Sequence, residues 1–229
     1  MPIKACIFDA YGTLFDVAAA AREAAAEPGN DPIAESWQQL AFDWRRKQLE
    51  YSWLRAITGE HKDFWAVTED GLDWALAAQR LDGDSALRDR LLALYRTLSA
   101  YPEVPEVLAR LKRSGIATAI LSNGSPAMLD AAVQSAGLGD LLDDVLSVET
   151  VGIFKPAPQV YALATARFDC PRDAILFVSS NGWDIAGAAG YGFFTAWVNR
   201  AGEPQDRLGH PPHEELRDLT LIPDIAAAI

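Results

Sequence analysis

Cysteine is nearly absent. Cys6 and Cys170 are the only two in 229 residues, and neither belongs to a CxxC pair. A disulfide framework or a cysteine-built zinc site is therefore not expected, and Cys6, mid-strand, reads as a small buried hydrophobe. Histidine is equally sparse. His61, His210 and His213 follow no HExxH pattern, and Gly209-His210-Pro211-Pro212-His213 reads as a solvated loop rather than a metal site. No apolar run approaches the roughly 20 residues that cross a bilayer. Met1-Pro2-Ile3-Lys4 leads straight into a strand-like run without a signal-peptide pattern, so a cytoplasmic location is expected. Positive charge is the next shortage: 20 Lys and Arg stand against 32 Asp and Glu, a formal net charge of −12. That field opposes nucleic acid and anionic membranes. It also repels an anionic small molecule, so a site for one must carry its own buried cation and backbone donors.

What is present suits a large core. Half of the residues (50%) are hydrophobic and 23% are charged, which fits one domain or a core with a smaller insert. Ile3–Phe8, Ile116–Leu121, Val145–Val148, Ala174–Val178 and Phe194–Val198 read as buried strands. Helical patterns alternate with most of them: Pro105–Ser114, Pro126–Ala136, Pro158–Phe168 and Asp184–Ala189, opening near Pro or Asp and often closing at Gly. This alternation predicts an α/β fold with a doubly wound parallel sheet. The interval 16–98 breaks it and reads as helix after helix. Ile33, Trp37, Leu40, Trp44, Tyr51 and Leu54 share one helical face after a loop at 27–32, and Leu72–Leu81 and Ser85–Leu98 supply further helices. A helical bundle inserted into a core made of 1–15 and 99–229 is expected. It would lie over the carboxyl edge of the sheet and could close a site there from water.

Open α/β sheets bind ligands at that edge, and four strand-end segments converge on it. Asp9-Ala10-Tyr11-Gly12-Thr13 places a carboxylate and a glycine turn directly after the first strand. An aspartate there could simply cap the turn, but the other segments supply partners. Leu121-Ser122-Asn123-Gly124-Ser125 ends a strand in hydroxyl and amide groups, Phe154-Lys155-Pro156 sets a lysine before a helix-opening proline, and Ser179-Ser180-Asn181-Gly182-Trp183-Asp184 adds a second acid. A nucleophile, an anion cradle, a cation and an acid would meet.

Together and in this order, the four segments resemble the haloacid dehalogenase superfamily, whose members attack substrate with an aspartate on the first strand. Most of that superfamily are magnesium-dependent phosphatases with a D-x-D first motif and paired acids in the fourth. Here Tyr11 stands at the second acidic place and Ser180 at one of the paired acids. Magnesium prefers several hard oxygen ligands, and halide leaves without a proton donor, so both departures point to the (S)-2-haloacid dehalogenase branch. That resemblance extends into the insert, where Trp44-Arg45-Arg46-Lys47-Gln48-Leu49-Glu50-Tyr51 looks like the branch's arginine-bearing helix. Arg46 is a departure from the glutamine expected in many relatives, and would either alter substrate range or face solvent.

The resemblance implies hydrolysis of an (S)-2-haloacid to an (R)-2-hydroxyacid without metal or other cofactor. Asp9 would be the nucleophile and Lys155 its charge partner. Asp184 would activate water, hold Lys155, or do both. Arg45, chosen by resemblance over Arg46 and Lys47, would bind halide or orient substrate. Ser122 and Asn123, with Ala10 and Tyr11, would hold the substrate carboxylate. Thr13, Ser179 and Asn181 would fix the Asp9 loop and its surroundings. Tyr161 would reach the carboxylate face or pack in the core. Leu49, Phe64 and Trp183 would line an apolar pocket or pack internally. A small 2-haloalkanoic acid is the expected partner, with a homodimer built on the aromatic helix. A phosphatase with a degenerate magnesium site is the competing expectation, and a non-catalytic binding protein a more distant one.

Overall fold

The computed structural model describes residues 2–29 and 31–229. Six strands, β1 Ala5–Phe8, β2 Ala117–Ser122, β3 Asp144–Ser147, β4 Ile175–Ser179, β5 Phe194–Val198 and β6 Glu214–Leu216, form one sheet in the order β3-β2-β1-β4-β5-β6. Every pairing is parallel. All residues of β1 and β4 are buried, as strands covered on both faces require. Burial of Cys6 pushes its thiol pKa well up, which leaves it an inert core atom. Phe8 pairs with Ile120 on one side and Val178 on the other. That register brings Asp9 level with the ends of β2 and β4, at the place where the strand order reverses.

Among the described residues five helices, α1 Ala19–Ala26, α2 Asp31–Ala34, α3 Trp37–Thr58, α4 Phe64–Ala78 and α5 Ser85–Arg96, lie between β1 and the core helix α6 Val104–Arg113. The later helices are α7 Pro126–Ser135, α8 Pro158–Phe168, α9 Gly182–Tyr191 and α10 Ile222–Ala228. Boundary chemistry follows expectation: α6, α7 and α8 carry proline in the first turn. Asp63 and Asp84 cap α4 and α5 by accepting the N–H groups of Trp65 (2.7 Å) and Leu87 (2.9 Å). The two chain segments that join insert and core run side by side. Asp16 N–H donates to Ser99 O at 3.0 Å and Tyr101 N–H to Leu14 O at 2.9 Å. Among the described residues no helix is long and apolar enough to cross a membrane.

Several expectations need correction. The stripe from Ile33 to Leu54 does not lie on one helix. Ile33 belongs to α2, a turn at 35–36 intervenes, and Leu54 is 50% exposed. The buried face of α3 instead runs through Leu40, Trp44, Gln48 and Ser52. An apolar pattern could not reveal it, because two of those positions are polar. The expected loop at 27–32 is shortened by α2, with Asn30 outside the described residues. The helix expected from Leu72 begins earlier, at Phe64, where Asp63 caps it. The strand β6 was not expected: Glu-Glu-Leu is a short, exposed edge strand whose composition carries no burial signal.

Candidate active site

Gly12 adopts φ +92, the left-handed region that turns the chain back immediately after β1, and a Cβ there would stand 3.0 Å from Ser180 Oγ. The turn leaves Asp9 at the strand end, 6% exposed, with both carboxylate oxygens engaged. Lys155 Nζ donates to Asp9 Oδ1 at 3.1 Å, while Oδ2 accepts from Thr13 Oγ1 at 3.1 Å and Asn181 Nδ2 at 3.0 Å. Ser179 Oγ in turn accepts the Asn181 N–H at 3.1 Å. Lys155 is itself buried and bridges to Asp184 Oδ2 at 2.9 Å. Its Nζ lies 5.0 Å from the centre of the Phe177 ring.

Asp184 is fully buried in the first turn of α9. Its Oδ1 accepts from the Tyr161 hydroxyl at 2.8 Å. Gly187 makes room for that hydroxyl, since a Cβ there would fall 2.6 Å from it. Tyr161 therefore stands behind Asp184 in the core, not on a substrate-facing wall. Burial works to strip Lys155 of its proton, but the charges and hydrogen bonds of Asp184 and Asp9 outweigh it and hold the pKa above 10.5. For Asp184 burial dominates, aided by the Asp9 charge, and raises its pKa above the usual carboxylate value despite Lys155 and Tyr161. Burial likewise raises the pKa of Tyr11, Tyr95 and Tyr161 well clear of neutrality.

Arg45 reaches down from α3. Its Nη2 donates to Tyr11 O at 3.0 Å and approaches Asn181 Oδ1 at 3.5 Å, while Nη1 donates to Gln48 Oε1 at 2.7 Å. With Asp9, Asp184 and Lys155 the group holds two negative and two positive charges. Arg46 points elsewhere, pairing with Asp43 (3.0 Å) and Glu50 (3.5 Å) and lying over Trp74. Asn123 Oδ1 accepts the Lys155 N–H at 2.9 Å, tying the β2 end to the lysine loop, and Ser122 Oγ accepts the Gly124 N–H at 3.1 Å. Among the described residues the N–H groups of Ala10, Tyr11 and Asn123 have no protein partner. These unpaired backbone donors lie on the two residues after Asp9 and at the end of β2, positions suited to holding an anion.

Leu49, Phe64 and Trp183 do not share a pocket. Leu49 lines a cleft of about 500 Å³ with Trp37, Phe42 and Arg45, whereas Trp183 lines another, about 520 Å³, with Trp53, Ile57 and Phe154. Phe64 is buried between Tyr11 and Phe154, at ring-centroid distances of 6.4 and 5.7 Å. Sequence reasoning missed Gln48 and Tyr95. Gln48 Nε2 donates to Thr68 Oγ1 at 2.7 Å and to the Tyr95 hydroxyl at 3.1 Å, while its Oε1 orients Arg45. The available signal was helical spacing, three residues on from Arg45. Tyr95, stacked on Tyr11 at 5.6 Å, left none.

The residues do not fit a divalent cation. The ammonium of Lys155 already sits between the two carboxylates, Asp184 has both oxygens engaged, and no group of three His, Cys, Asp or Glu lies together among the described residues.

Fold and site together define a doubly wound α/β protein with a lysine-paired aspartate on its central strand and a helical insert. The chain belongs to the haloacid dehalogenase-like hydrolase family, whose model matches residues 3–192. It is 43% identical over 224 residues to (S)-2-haloacid dehalogenase 1 of Pseudomonas sp. (strain CBS-3), covering 98% of this chain and 96% of that one. To (S)-2-haloacid dehalogenase 4A of Burkholderia cepacia it is 40% identical over 218 residues, covering 95% and 92%. Among solved structures, a dehalogenase with an intermediate complex superposes with a TM-score of 0.93 at 39% identity, covering 99% and 98%. The L-2-haloacid dehalogenase of Xanthobacter autotrophicus with chloropropionic acid covalently bound gives 0.86 at 36% identity, covering 97% and 98%.

Proposed function

We propose that this chain is an (S)-2-haloacid dehalogenase working through an aspartyl ester on Asp9. One observation carries the reading: a buried carboxylate held by Lys155, Thr13 and Asn181 stands beside three unpaired backbone N–H groups and the Arg45 guanidinium. The backbone donors, with Ser122 and Asn123, hold the substrate carboxylate and turn C2 towards Asp9. An Asp9 oxygen attacks C2 from behind, and the carbon–halogen electron pair leaves with halide beside Arg45. Water then adds to the ester carbonyl, the Asp9 Cγ–O bond breaks, and an (R)-2-hydroxyacid and one proton are released. Lys155 stabilises Asp9 as a carboxylate in the first step, and Thr13 and Asn181 fix its orientation. Asp184 holds Lys155, and its raised pKa suits it to take a proton from the attacking water.

No step uses a metal. We take 16–98 as the cap over this site and 1–15 with 99–229 as the catalytic core. The exposed apolar residues of α3, Phe42 and Ile57, offer a homodimer contact that sedimentation velocity can test.

Halide release from 2-chloropropionate in EDTA tests the activity: sustained turnover is expected, and a strict magnesium requirement would mark a phosphatase-like site instead. Asp9→Asn abolishes turnover on this mechanism while keeping the fold. A single turnover in H₂¹⁸O places the label in the peptide containing Asp9. Label found only in the product would establish direct attack by water and refute the ester.

A further inference from the structure

We propose that Arg200 is a positioning residue for this reaction, acting from the end of β5 through Thr13 on the Asp9 carboxylate. The kinetic part rests on the dehalogenase reading; the structural part does not. Arg200 is set by a built loop, in which the buried Asn199 donates from Nδ2 to Glu203 O (2.9 Å) and Glu215 Oε1 (2.7 Å) and accepts the Glu203 N–H at Oδ1 (2.8 Å). From there Arg200 Nη2 donates to Thr13 O at 3.1 Å and lies 2.7 Å from Glu103 Oε1, with the guanidinium 3.6 Å from the centre of the Tyr101 ring.

These partners sit on both segments that join insert and core: Thr13 precedes Leu14 on the outgoing one, and Tyr101, on the returning one, donates its N–H to Leu14 O at 2.9 Å. Thr13 is thereby fixed at both ends. Its carbonyl is held by Arg200, while its hydroxyl accepts the Ser180 N–H at 2.8 Å and donates to Asp9 Oδ2 at 3.1 Å. One planar side chain thus reaches the carbonyl, an acid and a ring together, with both polar contacts made by Nη2. The Arg200–Glu103 pair is only about one-fifth exposed on each side (21% and 20%), so it is partly shielded from water and holds the guanidinium against the Thr13 carbonyl.

The test uses Arg200→Met, Arg200→Lys as the milder variant should the first not fold, and Glu103→Gln, which removes a charge partner without touching the Thr13 carbonyl. In Arg200→Met, kcat on 2-chloropropionate should fall about tenfold, the equivalent of one lost hydrogen bond, with KM changed less than about threefold. The acid limb of the kcat profile should move to higher pH, because a bond to the ionised form of a carboxylate favours that form. Arg200→Lys should show a smaller loss in the same direction, and Glu103→Gln none. In a Thr13→Val background, adding Arg200→Met should change kcat by less than about twofold, since both substitutions remove one chain of contacts.

Amide exchange of Ser180 reads the Thr13 hydroxyl without substrate. It should quicken about tenfold in Arg200→Met and stay unchanged in Glu103→Gln. Additive losses in the cycle, an unchanged Ser180 amide, or a Glu103→Gln enzyme as impaired as Arg200→Met would each overturn the proposal. A wild-type protein that releases no halide would sink the dehalogenase reading instead, and Ser180 exchange alone would then decide the role of Arg200.

Discussion

Replacing Lys155 by methionine removes the one cation lodged between two buried carboxylates. Its Nζ lies 3.1 Å from Asp9 Oδ1 and 2.9 Å from Asp184 Oδ2, in a side chain only 1% exposed. Unit charges about 4 Å apart interact by about 4 kcal/mol at an effective dielectric of about 20. Two such attractions vanish and the carboxylates are left to repel. Removing one partner from a buried pair costs about 3–5 kcal/mol, so the variant should be less stable by that order at neutral pH. Protonating one carboxylate relieves the strain. The acid limb of kcat should therefore move to higher pH, and kcat at pH 7 should fall by about 10²–10³.

Stability carries a second signature. The pKa of Lys155 is raised in the folded protein, so its contribution is fully present below about 10.4 and is lost as pH climbs through the raised value. Wild-type protein should lose stability in that alkaline window, and the methionine variant should lack this loss. Halide release followed from pH 5 to 10, with thermal melts across the same range and into the alkaline window, reads both effects. A variant with near-normal kcat and an unshifted profile would show that Lys155 is structural.

Arg45 and Arg46 should separate sharply: Arg45→Ala loses most halide release, because its guanidinium faces Tyr11 O and Asn181. Arg46→Gln stays within about twofold, because Arg46, itself 40% exposed, is turned to Asp43 and Glu50 and makes no contact with Tyr11 or Asn181. Equal losses in steady-state assays would remove Arg45 from the halide site. Asp184→Asn should lose turnover yet melt within a few degrees of wild type, or above it. The amide oxygen can accept from Lys155 and its nitrogen can donate to the Tyr161 hydroxyl, whose own proton can go to Asp184 O, 3.2 Å from the hydroxyl oxygen. A melt lowered by about 10 °C or more would show that the buried carboxylate is needed for folding. Salt should raise kcat/KM slightly or leave it unchanged, since screening weakens the repulsion between a −12 chain and an anionic substrate. A steep fall with salt, measured at fixed pH, would show that local positive charge governs encounter.

The strands that carry Asp9, Ser122 and Ser179 were legible because buried parallel strands are continuous apolar runs ending in polar turns, and the family motifs set Lys155 and Asp184 beside them. Helix α3 was legible as a helix but not in its facing. Its inward positions Gln48 and Ser52 are polar because they serve hydrogen bonds to Thr68, Tyr95, Arg45 and Leu49 O. The sequence pattern sets Tyr161 on its helix but does not choose between site and core. Only the Gly187 gap shows why its hydroxyl meets Asp184. Arg200 and β6 carry no periodic or motif signal, and their positions depend on contacts across the sheet edge.

The charged centre also has an order of assembly written into the chain. Lys155 and Asp184 are 29 residues apart, whereas Lys155 and Asp9 are separated by 146. Closing the longer loop costs about 1.4 kcal/mol more chain entropy than closing the shorter. The second acid and the lysine thus meet more readily in the unfolded chain than either meets the first strand. A chain emerging from its N-terminus presents Asp9 first and must keep it waiting, unpaired and hydrated, until most of the sequence exists. Activity, on this topology, requires the costlier of these two closures.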